Sequence, residues 1–220
     1  MTRFKICGLR TVEHALAAAE AGADLLGFVF VQGVRRQLQP DEAAEIIELY
    51  RSRLLVDGPK IIGLFANQDI EDVNRIIRLC GLDYVQLCGD EPPEYGDDVD
   101  AGVIRQIKVR DGGSRGEIIN RVMVDVEAAV SRGHKVHLDK HVDGLLGGTG
   151  MAFDWEIARE IATSYEILLA GGLTPENVAD AISVARPWGV DVSSGVETDG
   201  VKDVNKIRAF AREVKRTAAR

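Results

Sequence analysis

Glu166-Ile167-Leu168-Leu169-Ala170-Gly171-Gly172-Leu173-Thr174-Pro175-Glu176 and Gly189-Val190-Asp191-Val192-Ser193-Ser194-Gly195-Val196-Glu197 follow one pattern: a short apolar run, then small residues rich in glycine, then a helical segment. Glycine lets backbone N–H groups come close to a ligand, and a helix N-terminus adds partial positive charge. Each turn alone also reads as an ordinary strand-to-helix connection, because local architecture does not settle function. Two in succession suggest one shared anion site.

The same strand-then-helix unit recurs upstream. Phe4 to Cys7 reads as a strand, Gly8 as a turn, and Thr11 caps a helix that runs to Ala21 and stops at Gly22. Asp24 to Phe30 is a strand without polar alternation, as expected of a parallel strand covered on both faces. Beyond a loop holding Arg35 and Arg36, Pro40 opens a helix with Ala43, Ile46, Ile47 and Tyr50 at helical spacing. Lys60 to Ala66, Asp83 to Cys88, Val103 to Val109 and His134 to Asp139 are further strands, with helices at Ile70 to Leu79 and Glu117 to Val130. Pro92, Pro93 and Gly96 limit the segment Asp90 to Asp100 to one or two helical turns. A glycine-rich loop, Gly144 to Gly150, precedes Asp154, which caps the next helix. Helices over Pro175 to Val184 and Val201 to Lys215 follow the last two strands, and a tail rich in Lys and Arg ends the chain in solvent.

Eight strands thus alternate with eight helices. A doubly wound sheet usually needs five or six strands, whereas eight close a (β/α)8 TIM barrel, so the expected fold is α/β, one barrel domain over residues 1–220 with no linker. Active sites of this fold lie at the C-terminal strand ends, and phosphate is commonly held after strands seven and eight. The opening pair of turns falls there.

Composition narrows the ligand. With 45% hydrophobic and 28% charged residues the chain is an ordinary globular enzyme or binding domain. A formal charge of −8 argues against nucleic acid, which needs a basic stripe, so a small-molecule partner is expected, and the paired glycine turns point to one that carries phosphate. Cys7, Cys80 and Cys88 are too few and too scattered for a disulfide scaffold or a zinc cage, so a reduced, cytoplasmic setting is expected. Neither a signal peptide nor a membrane span is expected, since no long apolar run occurs. A monomer or a homodimer is expected.

Side chains alternate along a strand between barrel interior and helix layer. Lys5 and Cys7, Gln86 and Cys88, Gln106 and Lys108, His137 and Asp139, and Asp191 and Ser193 share parity, while their neighbours Ile6, Leu87, Ile107, Leu138 and Val192 are aliphatic. The polar set should point inward, and buried polar groups need partners, so Lys5 with Asp191 is one expected pair. Cys7 and Asp139 are the last residues of that parity on their strands, at the rim. Alone, Cys7 reads as packing and Asp139 as a turn cap; together, a thiolate and a carboxylic acid flanking a phosphate-anchored sugar would make a general base and a general acid. His137, Asp139 and His141 have metal-like spacing but no further ligand, so no metal is expected and His137 reads as an interior hydrogen-bonder. Trp155 and Trp188 are expected at the helix–barrel interface.

These residues resemble the phosphoribosylanthranilate isomerase family over nearly the whole chain. The matching motifs are Lys5-Ile6-Cys7-Gly8, Ala21 to Asp24 with Gly27 to Phe30, Val85-Gln86-Leu87, Leu138-Asp139, Gly147 to Gly150 before Phe153-Asp154-Trp155, Ala170 to Val178, and Val190 to Glu197. The resemblance implies an enzyme of tryptophan biosynthesis that performs an Amadori rearrangement of N-(5-phosphoribosyl)anthranilate without metal or organic cofactor. It further implies that Asp139 protonates the furanose ring oxygen and that Cys7 removes the proton from sugar C2. Arg36 would meet the anthranilate carboxylate, with Arg35 as the alternative, and Gly171, Gly172, Ser194 and Gly195 would hold the phosphate. Cys88 stands where the family has histidine. The readings that compete are another phosphosugar isomerase or epimerase barrel and a non-catalytic phosphosugar-binding barrel.

Overall fold

A computed structural model describes residues 1–53, 58–140 and 154–217. The expected loop Gly144 to Gly150, together with His141 and Phe153, lies outside the described residues.

Eight parallel strands close a barrel: β1 (Arg3–Cys7), β2 (Leu25–Val29), β3 (Lys60–Phe65), β4 (Tyr84–Leu87), β5 (Gly102–Val109), β6 (Lys135–Lys140), β7 (Ile167–Leu169) and β8 (Gly189–Val192). Their order round the ring is the order along the chain, and the ring shuts where Lys5 of β1 pairs with Asp191 of β8. Parallel strands need crossover connections, which here are mostly helices. These are α1 (Val12–Glu20), α2 (Pro40–Ser52), α3 (Ile70–Cys80), α4 (Arg115–Ser131), α5 (Trp155–Ala162), α6 (Val178–Ala185) and α7 (Val204–Thr217).

Local chemistry sets several helix ends. The Thr11 side chain accepts from the His14 N–H to start α1, and Gly81 ends α3 in the left-handed conformation at φ 62°. Ser114 and Glu117 form a reciprocal capping box, so α4 begins at Arg115, two residues before the expected start. Between β4 and β5 there is only a 3-10 helix, Pro93–Asp98, as its prolines require.

Two expectations about the last helices are corrected. The segment from Pro175 is a turn and α6 starts at Val178, because Asn177 folds back: its Oδ1 accepts from the Thr174 N–H at 2.8 Å and its Nδ2 donates to the Gly172 carbonyl at 2.9 Å. Val201 and Lys202 do not begin a helix; they are β10 (Val201–Lys202) of a hairpin with β9 (Glu197–Thr198). Asp199 and Gly200 at the tip have φ of 50° and 79°, the conformation that Asp-Gly favours in two-residue turns. The Asp203 side chain then caps α7 by accepting from Asn205 N–H at 2.8 Å.

Apolar side chains fill two shells. Ile6, Leu26, Phe28, Val85, Leu138 and Val190 face the helices and are buried there, while Leu25, Val29, Ile62, Leu64, Ile104 and Leu168 fill the barrel interior. Trp155 packs half-buried against the outer shell as expected. Trp188 does not; it directly precedes β8 at the N-terminal mouth, with the Arg3 guanidinium 4.6 Å and the Lys135 ammonium 5.1 Å from its ring centroid. Among the described residues no helix is long and apolar enough to cross a membrane.

Candidate active site

The C-terminal strand ends surround a cavity of about 690 Å³. Cys7, Arg36, Asp139, Gly171, Gly172, Ser194 and Gly195 all line it, from five different loops or strand ends. Arg35 and Cys88 line it as well.

Its floor is the inward polar layer. Lys5, wholly buried, donates from Nζ to Asp191 Oδ2 at 2.9 Å and to Gln86 Oε1 at 2.7 Å. His137 Nε2 shares the same Asp191 oxygen at 2.9 Å, so His137 is an interior hydrogen-bonder as its parity predicts. Burial alone would raise the Asp191 carboxyl, but Lys5 and His137 outweigh it and hold the acid at about 2. Lys108 departs from the layer by reaching Asp90 at 3.2 Å on the rim. Among the described residues no three His, Cys, Asp or Glu side chains gather in metal-binding geometry.

Cys7 and Asp139 stand above that floor. Cys7 is buried, and burial pushes its thiol up; the charges of Lys5, Lys202 and Arg36 pull it down, and Asp191 adds to the rise. Glycine at 27 leaves room for it, since a Cβ there would sit 3.0 Å from Cys7 Sγ. Asp139 accepts from Gln106 Nε2 at 3.2 Å and from the Lys140 N–H at 2.8 Å. Cys88 is paired with Gln86, whose Nε2 lies 3.5 Å from its sulfur, and burial pushes its thiol up to about 12.

The glycine turns form a second wall. Gly171 and Gly172 have φ of 93° and 64°, and a Cβ on Gly195 would lie 1.9 Å from the Leu173 carbonyl oxygen. The two turns are therefore packed backbone to backbone. The N–H groups of Gly171, Gly172, Ser194 and Gly195 have no acceptor among the described residues. Four half-buried donors in one wall are an arrangement that can take an anion. The donors differ from expectation in one respect: the second turn leads into a short 3-10 helix, Ser194–Val196, rather than an α-helix, and the first reaches α6 only at Val178.

The arginine wall contains what the sequence reading missed. Arg36 grips Glu197 through Nε to Oε1 at 2.7 Å and Nη2 to Oε2 at 3.0 Å, and Arg35 Nη2 reaches the same Oε2 at 2.6 Å. Lys202 Nζ joins at 2.7 Å from Glu197 Oε1 and 3.0 Å from the Ser193 carbonyl. Ser193 Oγ donates in turn to the Cys7 carbonyl at 3.1 Å. The Asp199-Gly200 dipeptide was the available signal, for a turn there puts Glu197 and Lys202 opposite one another across a hairpin.

Residues 4–213 match the family profile described as N-(5'phosphoribosyl)anthranilate (PRA) isomerase. The chain is 43% identical over 215 residues to the N-(5'-phosphoribosyl)anthranilate isomerase of Dehalococcoides mccartyi, covering 98% of this chain and 96% of that one. Crystal structures give the same likeness. Phosphoribosyl anthranilate isomerase of Thermotoga maritima superposes with a TM-score of 0.82 at 34% identity, covering 98% and 99% of the two chains. A second structure, of a phosphoribosyl anthranilate isomerase in complex with reduced 1-(o-carboxyphenylamino)-1-deoxyribulose 5-phosphate, superposes at 0.79 with 33% identity and coverage of 98% and 99%. The chain belongs to the N-(5'-phosphoribosyl)anthranilate isomerase family.

Proposed function

We propose that this barrel, one domain over residues 1–220, converts N-(5'-phosphoribosyl)anthranilate to 1-(o-carboxyphenylamino)-1-deoxyribulose 5-phosphate in tryptophan biosynthesis, with Asp139 as general acid and Cys7 as general base. The observation that carries it is that an acid, a thiol, an arginine and an anion cradle line one cavity. A relative's complex with a reduced form of that ketose phosphate supports the choice of substrate.

The chemistry needs two proton transfers on one sugar. Asp139 gives a proton to the furanose ring oxygen as the C1–O bond breaks, and the nitrogen lone pair forms an iminium at C1. Positive charge next to C2 acidifies the C2 proton, which Cys7 takes as thiolate. The resulting enolamine becomes the ketone by tautomerisation. Each positioned transfer contributes roughly 10²- to 10⁴-fold. The free amides of Gly171, Gly172, Ser194 and Gly195 hold the phosphate, which fixes the sugar between the two groups. Arg36, only 17% exposed, meets the anthranilate carboxylate, whereas Arg35, at 53%, stays at the surface.

The test is loss of substrate fluorescence on adding purified protein to phosphoribosylanthranilate. Turnover with Michaelis–Menten saturation is expected. No turnover of this substrate, with turnover of a different sugar phosphate, would replace the assignment by the epimerase or alternative isomerase reading.

A further inference from the structure

We infer that Glu197 is a positioning residue that selects which edge of Arg36 reads the substrate carboxylate, an inference that rests on the isomerase reading above. A guanidinium offers two edges to a planar acceptor, the side edge of Nε with Nη2 and the end edge of Nη1 with Nη2. Glu197 occupies the side edge with both of its oxygens. Nη1 has no acceptor among the described residues, so the end edge is left for the cavity.

Three further observations make the arrangement stiff. Arg36 Cδ lies against Gly8, where an added Cβ would come within 2.4 Å, so the stem of the arginine is laid down along the β1 turn. Glu197 is itself 5% exposed and is held by Lys202, which is anchored to the Ser193 carbonyl. Burial opposes the Glu197 charge, yet Arg36 and Lys202 hold the carboxyl at about 2, so it is ionised throughout the physiological range. One carboxylate facing Arg35, Arg36 and Lys202 leaves the cluster two charges positive, which favours an entering anion rather than neutralising the wall.

Glu197 touches no reacting atom in this scheme and acts through Arg36, which sets the test. In the fluorescence assay Glu197→Ala is expected to raise KM on the order of tenfold with a much smaller change in kcat, because uniform binding is lost. Adding Glu197→Ala to Arg36→Ala is expected to raise KM no further, since the arginine it orients is gone. Additive effects of the two substitutions would overturn the inference. If Glu197→Ala does not fold, Glu197→Gln keeps the shape, sets an amide N–H against Arg36 Nη2, and must give the same non-additive pattern. A crystal structure of the Glu197 variant separates this claim from the isomerase assignment: Arg36 swung away from Gly8 upholds it even for a protein that turns over another substrate, and Arg36 unmoved refutes it.

Discussion

Lys5 and Asp191 are bonded at 2.9 Å inside the barrel, on the two strands that close the ring, directly below the Cys7 turn. The pair does structural and electrostatic work at once. Removing the ammonium strands a buried carboxylate, so Lys5→Met is expected to destabilise the fold by about 3–5 kcal/mol in urea denaturation. It also removes a positive charge that favours the Cys7 thiolate, so the rising limb of kcat/KM against pH should move to higher pH. A Lys5→Met protein with unchanged stability would show that the charge pair is dispensable.

Cys7→Ser and Asp139→Asn should each lower kcat by roughly 10²- to 10⁴-fold with modest change in KM, as measured by steady-state fluorescence kinetics. Near-normal turnover in either variant would remove that residue from its role. Because burial keeps the free enzyme's thiol protonated toward high pH, wild-type activity should climb on the alkaline side of neutrality, and the limb should be absent in Cys7→Ser.

Gly195→Ala tests the packing of the two glycine turns. Its Cβ would meet the Leu173 carbonyl oxygen, a backbone atom that cannot rotate away. A loss of about 1–3 kcal/mol in stability is expected, with a KM increase as the amides of the cradle separate. Thermal unfolding and kinetics on the same preparation check both.

Much of this site is legible in the amino-acid sequence. Parity along β1, β6 and β8 placed Lys5, Cys7, His137, Asp139 and Asp191 on the inner face because strand alternation is rigid. The arginine wall was not legible in the same way: Arg36 and Glu197 are brought together from opposite ends of the chain, and pairing at that distance has no local signature. The hairpin that carries Glu197 did have one in Asp199-Gly200, but its two-residue strands are shorter than periodicity can register. Trp188 failed for another reason, since a residue just outside a strand has no assigned face.

Acid should unfold this protein chiefly through Asp191 and Glu197, the most strongly depressed carboxylates among the described residues. Asp191 and Glu197 both titrate at about 2, below the ordinary carboxylate range near 4. Groups whose folded values are depressed give stability that is fully present above the unfolded value and fades as pH falls toward the folded one. Stability is therefore expected to drop between about pH 4 and pH 2, and Asp191→Asn should flatten that drop in pH-dependent chemical denaturation.

The ring closes between its first and last strands, and this orders events during synthesis. Lys5 and Cys7 leave the ribosome well before Asp191 and Ser193, the partners that hold them from β8 and the turn after it. A nascent chain carries Lys5 and the Cys7 turn without these partners until β8 has been made, so the cavity is expected to close only when the last strand joins the first.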